Sequence, residues 1–172
     1  MSKYKTALFI GRFQPFHYGH LFAIKYALEY SDFLYIGLGS SNRSHERRNP
    51  FTAAERILMI KSALEKENID QKKWMIIPIP DVKAHYLWTK VVRMLVPKFE
   101  VVFSNDPLTL TLFSEESFPV IEVPLTERDK FIATEIRNRI LEGQPWEHLV
   151  PEPVIKIIKE INGEERIKKL GK

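Results

Sequence analysis

Short apolar runs rich in β-branched and aromatic residues alternate along this chain with stretches of helical periodicity. The runs predict strands at Thr6–Gly11, Phe33–Gly39, Trp74–Ile79, Val101–Ser104 and Val120–Val123. The periodic stretches predict helices at His17–Tyr30, Thr52–Glu67, Leu87–Leu95 and Leu108–Glu115. Strands apolar on both faces and separated by helices belong to a parallel sheet covered on each side. The expected fold is a Rossmann-like α/β domain with five parallel strands in the order 3-2-1-4-5. Thr52-Ala53-Ala54-Glu55 is a capping box that fixes the start of one helix. From about residue 133 the pattern is helical only, with Gly143-Gln144-Pro145 ending one helix and starting another. Pro151 and Pro153 open a further helix through Ile161, and this portion is expected to pack against the end of the sheet. No repeat, low-complexity stretch or linker divides the chain, so residues 1–172 are read as one domain.

Composition narrows the class of function. The chain has 172 residues, 44% hydrophobic and 28% charged, which suits a soluble domain with a substantial core. No apolar stretch approaches the ~20 residues that span a bilayer, and Met1–Lys5 leads into a strand without a secretory signal. Cysteine is absent, which leaves no disulfide framework and no thiolate metal site. A cytoplasmic setting without membrane contact is the expectation. The net charge of +4, from 26 basic and 22 acidic residues, suits phosphorylated small molecules better than nucleic acid. The basic tail Arg166, Lys168, Lys169 and Lys172 alternates with Glu164 and Glu165 and reads as a solvated helix end.

The chemistry concentrates at Gly11-Arg12-Phe13-Gln14-Pro15-Phe16-His17-Tyr18-Gly19-His20. Here a strand runs through a glycine-containing turn into a helix start, a common construction for a phosphate site. In a first helical turn residues three apart share a face, so His17 and His20 point at one spot. Gly19 removes a side chain where a ligand approaches the backbone, and the free N–H groups of the helix start add positive charge. His-x-Gly-His resembles the signature of the nucleotidylyltransferase superfamily.

Three further segments surround this site in the expected fold. Phe131-Ile132-Ala133-Thr134-Glu135-Ile136-Arg137 puts a threonine at a helix start and an arginine one turn on. It is either an anion-binding helix start or a capped helix with an exposed arginine. The polar loop Gly37–Phe51 carries Arg43, Arg47 and Arg48 at the carboxyl end of a strand, where α/β folds bind ligands. Its arginines either clamp phosphates or sit on a mobile surface. After the third strand, Asp81-Val82-Lys83-Ala84-His85-Tyr86-Leu87-Trp88 places a tryptophan at the crevice edge. Trp88 either stacks on a flat cationic ring or heads an amphipathic core helix.

Taken together, the decapeptide, the Ser44–Arg56 stretch, Leu87-Trp88 and Trp146–Pro151 resemble the archaeal-type nicotinamide-mononucleotide adenylyltransferases over nearly the whole chain. The resemblance implies the reaction NMN + ATP → NAD⁺ + pyrophosphate, with Mg²⁺ held by the ATP phosphates, no protein metal site, and a homo-oligomer, a hexamer. It implies that His17 and His20 contact the ATP phosphates, His20 nearest the reacting centre, and that Arg12 and Arg137 grip the triphosphate. Gly11, Phe13, Gly19, Arg48 and Thr134 complete the phosphate site. It implies that Trp88 stacks on the nicotinamide, with Asp81 and Val82 near its carboxamide and Ser40 and His85 as further contacts of the nicotinamide nucleotide. Two positions depart from the pattern: the family often has Asn at His85 and usually has Ser at Ile132. A nucleotidylyltransferase with another acceptor (nicotinate mononucleotide, phosphopantetheine or a flavin) and a non-catalytic nucleotide sensor are the rival readings.

Overall fold

The structure, a computed structural model, describes residues 3–125 and 132–172. Lys130 and Phe131, part of the arginine-bearing segment above, lie outside the described residues. Five parallel strands form one sheet in the order β3-β2-β1-β4-β5. They are β1 (Tyr4–Gly11), β2 (Ser31–Leu38), β3 (Trp74–Pro78), β4 (Val101–Ser104) and β5 (Val120–Glu122). The connecting helices are α1 (Tyr18–Tyr30), α2 (Ala53–Lys66), α3 (His85–Leu95) and α4 (Pro107–Glu115). The strand order expected from the sequence is the one observed.

Period-two alternation sends successive side chains of each strand to opposite faces, and both faces are covered. Ala7, Phe9, Leu34, Ile36, Val101 and Phe103 meet Ile24 of α1 and Met59 and Ile60 of α2 in the larger core. Leu8, Ile10 and Val102 meet Val92, Val96 and Phe113 in the smaller one, on the side of α3 and α4. The capping box of α2 is present: Glu55 N–H donates to Thr52 Oγ1 at 3.2 Å, and Thr52 N–H donates to Glu55 Oε2 at 2.9 Å.

The carboxyl-terminal region departs from expectation in three ways. After α5 (Ala133–Glu142), which ends on left-handed Gly143, the helix expected through Ile161 is α6 (Glu152–Glu160), and α7 (Gly163–Leu170) follows it separately. The chain reverses at Asn162, whose φ is +54°. Gly163 is needed there, since a Cβ would lie 3.0 Å from both Ile158 and Phe51. Second, α6 packs on α2 and α7 on α5, so this region seals the helical layer instead of the sheet end. Third, Arg166 is not solvated: it donates to both oxygens of Glu55, at 2.7 and 2.9 Å, and to the carbonyl of Pro50 at 3.1 Å. Two residues before Arg166 on the same helix, Glu164 accepts from Trp146 Nε1–H at 2.9 Å.

Candidate active site

At the end of β1 the chain turns sharply through Phe13, which has φ +53° and is buried. Its ring lies under Gly11, where a Cβ would sit 3.0 Å from it, and stacks on Phe16 at 5.8 Å. The aromatic side chain expected at the phosphate site therefore belongs to the core, because its ring is walled in on all sides. Only its backbone is left for a ligand. Gln14 fixes the next step: its amide exchanges two hydrogen bonds with the backbone of Phe51, at 2.9 and 3.1 Å, tying this turn to the start of α2.

His17 is the N-cap of α1, and it forms a capping box with another histidine. Gly19 N–H donates to His17 Nδ1 at 3.0 Å, and His17 N–H donates to His20 Nδ1 at 3.2 Å. The two rings stack with centroids 3.7 Å apart. The shared face expected from their spacing is there. Of the first-turn amides, that of Gly19 is taken by the His17 imidazole. With each Nδ1 accepting, each ring carries its proton on Nε2, and two Nε2–H donors are added at the helix start. Burial pushes the His17 pKa down to about 4, and burial, then His17 itself, holds His20 well below the usual imidazole range. At neutral pH both are uncharged donors.

Cationic groups complete the site. Arg137, nearly buried on α5, donates to the carbonyl of Gln14 at 2.9 Å and to Thr134 Oγ1 at 3.3 Å. Burial, and after it the neighbouring charges of Arg12 and Arg48, lower its pKa to about 10, so three guanidiniums share one field. Among the described residues none of the three pairs with a carboxylate. Arg47 and Arg48 stand at the tip of a turn closed by reciprocal backbone bonds between Glu46 and Asn49. With Pro50, Thr134, Arg137 and Asn138 they line a cleft of about 490 Å³ floored by Leu141, Ile167 and Leu170. The α5 N-cap is Ile132, half-exposed and without a side-chain cap, and Thr134 is two residues into the helix. Among the described residues no three His, Asp or Glu side chains gather to hold a metal ion.

The pyridine-side residues lie around the ends of β2 and β3. Ser40, at φ +48°, donates to Asp81 Oδ1 at 2.9 Å, and Arg43 Nε lies 3.5 Å from Asp81 Oδ2. Asp81 is thus already engaged, through both oxygens, by the loop after β2. Val82 is half-buried, and His85, at the first position of α3, is exposed. Trp88 combines the two readings of the sequence: one edge meets Phe113 at 6.0 Å in the smaller core, while the ring is only partly buried.

Sequence reasoning missed two residues here. Arg56, fully buried, donates to five backbone carbonyls of the loops around the site. Asn105 follows β4 by one residue, and extending the β1–β4 register places it level with Gly11, with Oδ1 buried and without a hydrogen-bond partner among the described residues. Arg56 lay within the stretch already singled out, and Asn105 lies where the strand order reverses, the general ligand position of such sheets.

Comparison with known proteins agrees with this geometry. Residues 8–139 match the Cytidylyltransferase-like family. The nicotinamide-nucleotide adenylyltransferase of Thermococcus kodakarensis is 45% identical over 167 residues, covering 97% of this chain and 89% of that protein. The chain belongs to the nicotinamide-nucleotide adenylyltransferase family. The relative from Thermoplasma acidophilum, of the same name, is 46% identical over 98% of this chain and 93% of its own length. Among solved structures, a bifunctional NMN adenylyltransferase/ADP ribose pyrophosphatase from Francisella tularensis, complexed with AMP and a manganese ion, superposes with a TM-score of 0.79. It is 27% identical over 97% of this chain, which spans 52% of that longer protein. This neighbour shares the fold of the chain.

Proposed function

We infer that this chain transfers the adenylyl group of ATP to nicotinamide mononucleotide, giving NAD⁺ and pyrophosphate. The observation that carries the chemistry is the pair of Nε2–H donors at His17 and His20 together with three guanidiniums that have no carboxylate partner among the described residues. The near full-length similarity to nicotinamide-nucleotide adenylyltransferases carries the acceptor.

The acceptor phosphate is already anionic, so no general base is needed. One of its oxygens attacks the α-phosphorus in line, the bond from that phosphorus to the β-bridging oxygen breaks, and the electron pair leaves with pyrophosphate. Negative charge crowds the transition state, and the residues' task is to position the two phosphates and stabilise that charge. His20 Nε2–H donates toward the α-phosphate, His17 Nε2–H beside it, and Arg12, Arg48 and Arg137 hold the β- and γ-phosphates. The α5 start and Thr134 face the same group. Adenosine enters the crevice between β1 and β4, where Asn105 Oδ1 offers an acceptor. On the far side the exposed face of Trp88 stacks on the cationic pyridine.

The donors around the anion site are N–H groups, which fits a divalent cation that arrives with ATP and keeps phosphate and water as its ligands. Mg²⁺ supplies charge neutralisation there. We take residues 1–172 as one catalytic unit acting in the cytoplasm. Exposed Tyr86, Leu87, Met94 and Leu95 on α3 favour burial against a second copy, which supports an oligomer. Among the described residues no helix is long and apolar enough to cross a membrane.

The test is an acceptor panel with ATP and Mg²⁺: NMN, nicotinate mononucleotide, phosphopantetheine and flavin mononucleotide. NAD⁺ and pyrophosphate should form in equal amounts with NMN. Turnover with another acceptor alone would shift the reading to that substrate, and nucleotide binding without pyrophosphate release would make the chain a sensor.

A further inference from the structure

In the first turn of α2, Arg56 carries a guanidinium with no solvent exposure and no ion pair among the described residues. Its partners are all backbone carbonyls. Nε–H donates to Thr52 at 3.2 Å, Nη1 to Arg12 and Gly39 at 2.9 Å each, and Nη2 to Ser40 and Arg43 at 3.1 and 3.4 Å. Five N–H donors are the whole capacity of an arginine, fixed in one plane, and every one is used.

The five carbonyls come from three separate pieces of chain. Arg12 lies in the turn after β1, which also leads to the histidines. Gly39, Ser40 and Arg43 lie in the turn after β2, whose Ser40 and Arg43 hold Asp81. Thr52 is the cap of α2. Burying a guanidinium is costly, and here the cost is offset by hydrogen bonds to five carbonyls and not by an ion pair. What only a five-donor fork provides is a fixed spacing between the two turns.

We infer that Arg56 is a positioning residue, which sets the ATP-side turn at Arg12 against the pyridine-side turn at Ser40–Arg43 so that the two reacting phosphates meet in line. The inference rests on the adenylyl-transfer reading of the site. Each substrate is gripped by its own turn, so loosening the link between turns leaves both grips intact and spoils their alignment. Misplacement by about 1 Å is enough to cost roughly 10²-fold in rate.

The experiment compares wild type with Arg56→Lys, which keeps the charge but offers three donors to five carbonyls, and with Arg56→Gln. Steady-state kinetics with ATP and NMN are run well below each variant's melting temperature, with circular dichroism to establish folding. The expected result is a fall in kcat of at least about tenfold, with the KM for ATP and for NMN each within about threefold of wild type. The lysine variant should retain more activity than the glutamine variant. A lowered melting temperature with unchanged kcat overturns the inference, as does failure of both variants to fold, since either makes Arg56 a residue of the fold alone. Absence of NAD⁺ synthesis by wild type would instead refute the adenylyl-transfer reading.

Discussion

Replacing His17 by Asn tests the double-histidine cap through its protonation. Asn caps helices well but does not titrate, so the variant keeps the hydrogen bond to Gly19 N–H and loses the imidazole. The folded protein holds His17 near pH 4 where the unfolded chain titrates at 6.5, because the buried ring resists charge and its Nδ1 is occupied. The unfolded state therefore binds the extra proton between those values. The stabilisation is present in full above pH 6.5, falls as pH drops, and is gone by about pH 4. At 1.36 kcal/mol for each pH unit between 6.5 and about 4, the full span is roughly 3 kcal/mol, of which about 2 kcal/mol is lost between pH 7 and pH 5. For a chain of 172 residues that corresponds to a melting temperature about 4–8 °C lower at pH 5 than at pH 7 from this residue alone. His20 contributes in the same direction, and the substitution also removes the ring stacked on it, so the difference between the two proteins is at least that of His17 alone. Denaturant melts of wild type and His17→Asn at both pH values isolate the difference. The variant's loss of stability on going to pH 5 should be smaller than that of wild type by about 2 kcal/mol. Equal losses in the two proteins would refute the account of a neutral, proton-resisting cap.

Other expectations follow from the same geometry. His20→Ala should lower kcat by ~10²–10³-fold with a much smaller effect on ATP affinity, measured by steady-state kinetics beside a binding titration; near-normal turnover would remove His20 from the chemistry. Trp88→Ala should raise the KM for NMN and leave that for ATP nearly unchanged, with a modest stability loss because only one edge meets Phe113. A loss of several kcal/mol with unchanged NMN affinity would make Trp88 a core residue instead. Ile132→Ser places a serine at an N-cap that has no side-chain cap, so thermal melts should show stability preserved or raised by up to ~1 kcal/mol. ATP-analogue affinity should move by about 1 kcal/mol or less, and a tenfold gain would reveal a gap in the phosphate site.

The sheet was legible because its strands are apolar on both faces, a pattern that parallel sheets alone require; the start of α2 was legible because Thr52 and Glu55 complete a local motif. The histidine pair was equally plain, since spacing within one helical turn is a property of sequence. What escaped detection depends on contacts far apart in the chain. Arg56 gathers carbonyls from residues as distant as Arg12, and nothing in a local pattern separates a buried arginine from one on a helix surface. Phe13 reads as a site residue by position, yet the turn points its ring into the core. Arg166 looks like tail charge until the reversal at Asn162 carries it back to Glu55.

Three guanidiniums held in one field with no acidic partner among the described residues make the empty site a place of mutual repulsion. That repulsion weighs on the folded state whenever no anion is present and is relieved when one binds. A ligand at 100 times its dissociation constant adds about 2.7 kcal/mol to folding, which is a large part of what a domain of this size has in reserve. Inorganic phosphate in a buffer will therefore pass for intrinsic stability, and salt will raise the melting temperature by screening alone. The equilibrium stability of this protein should therefore rise and fall with the concentration of the nucleotide it binds.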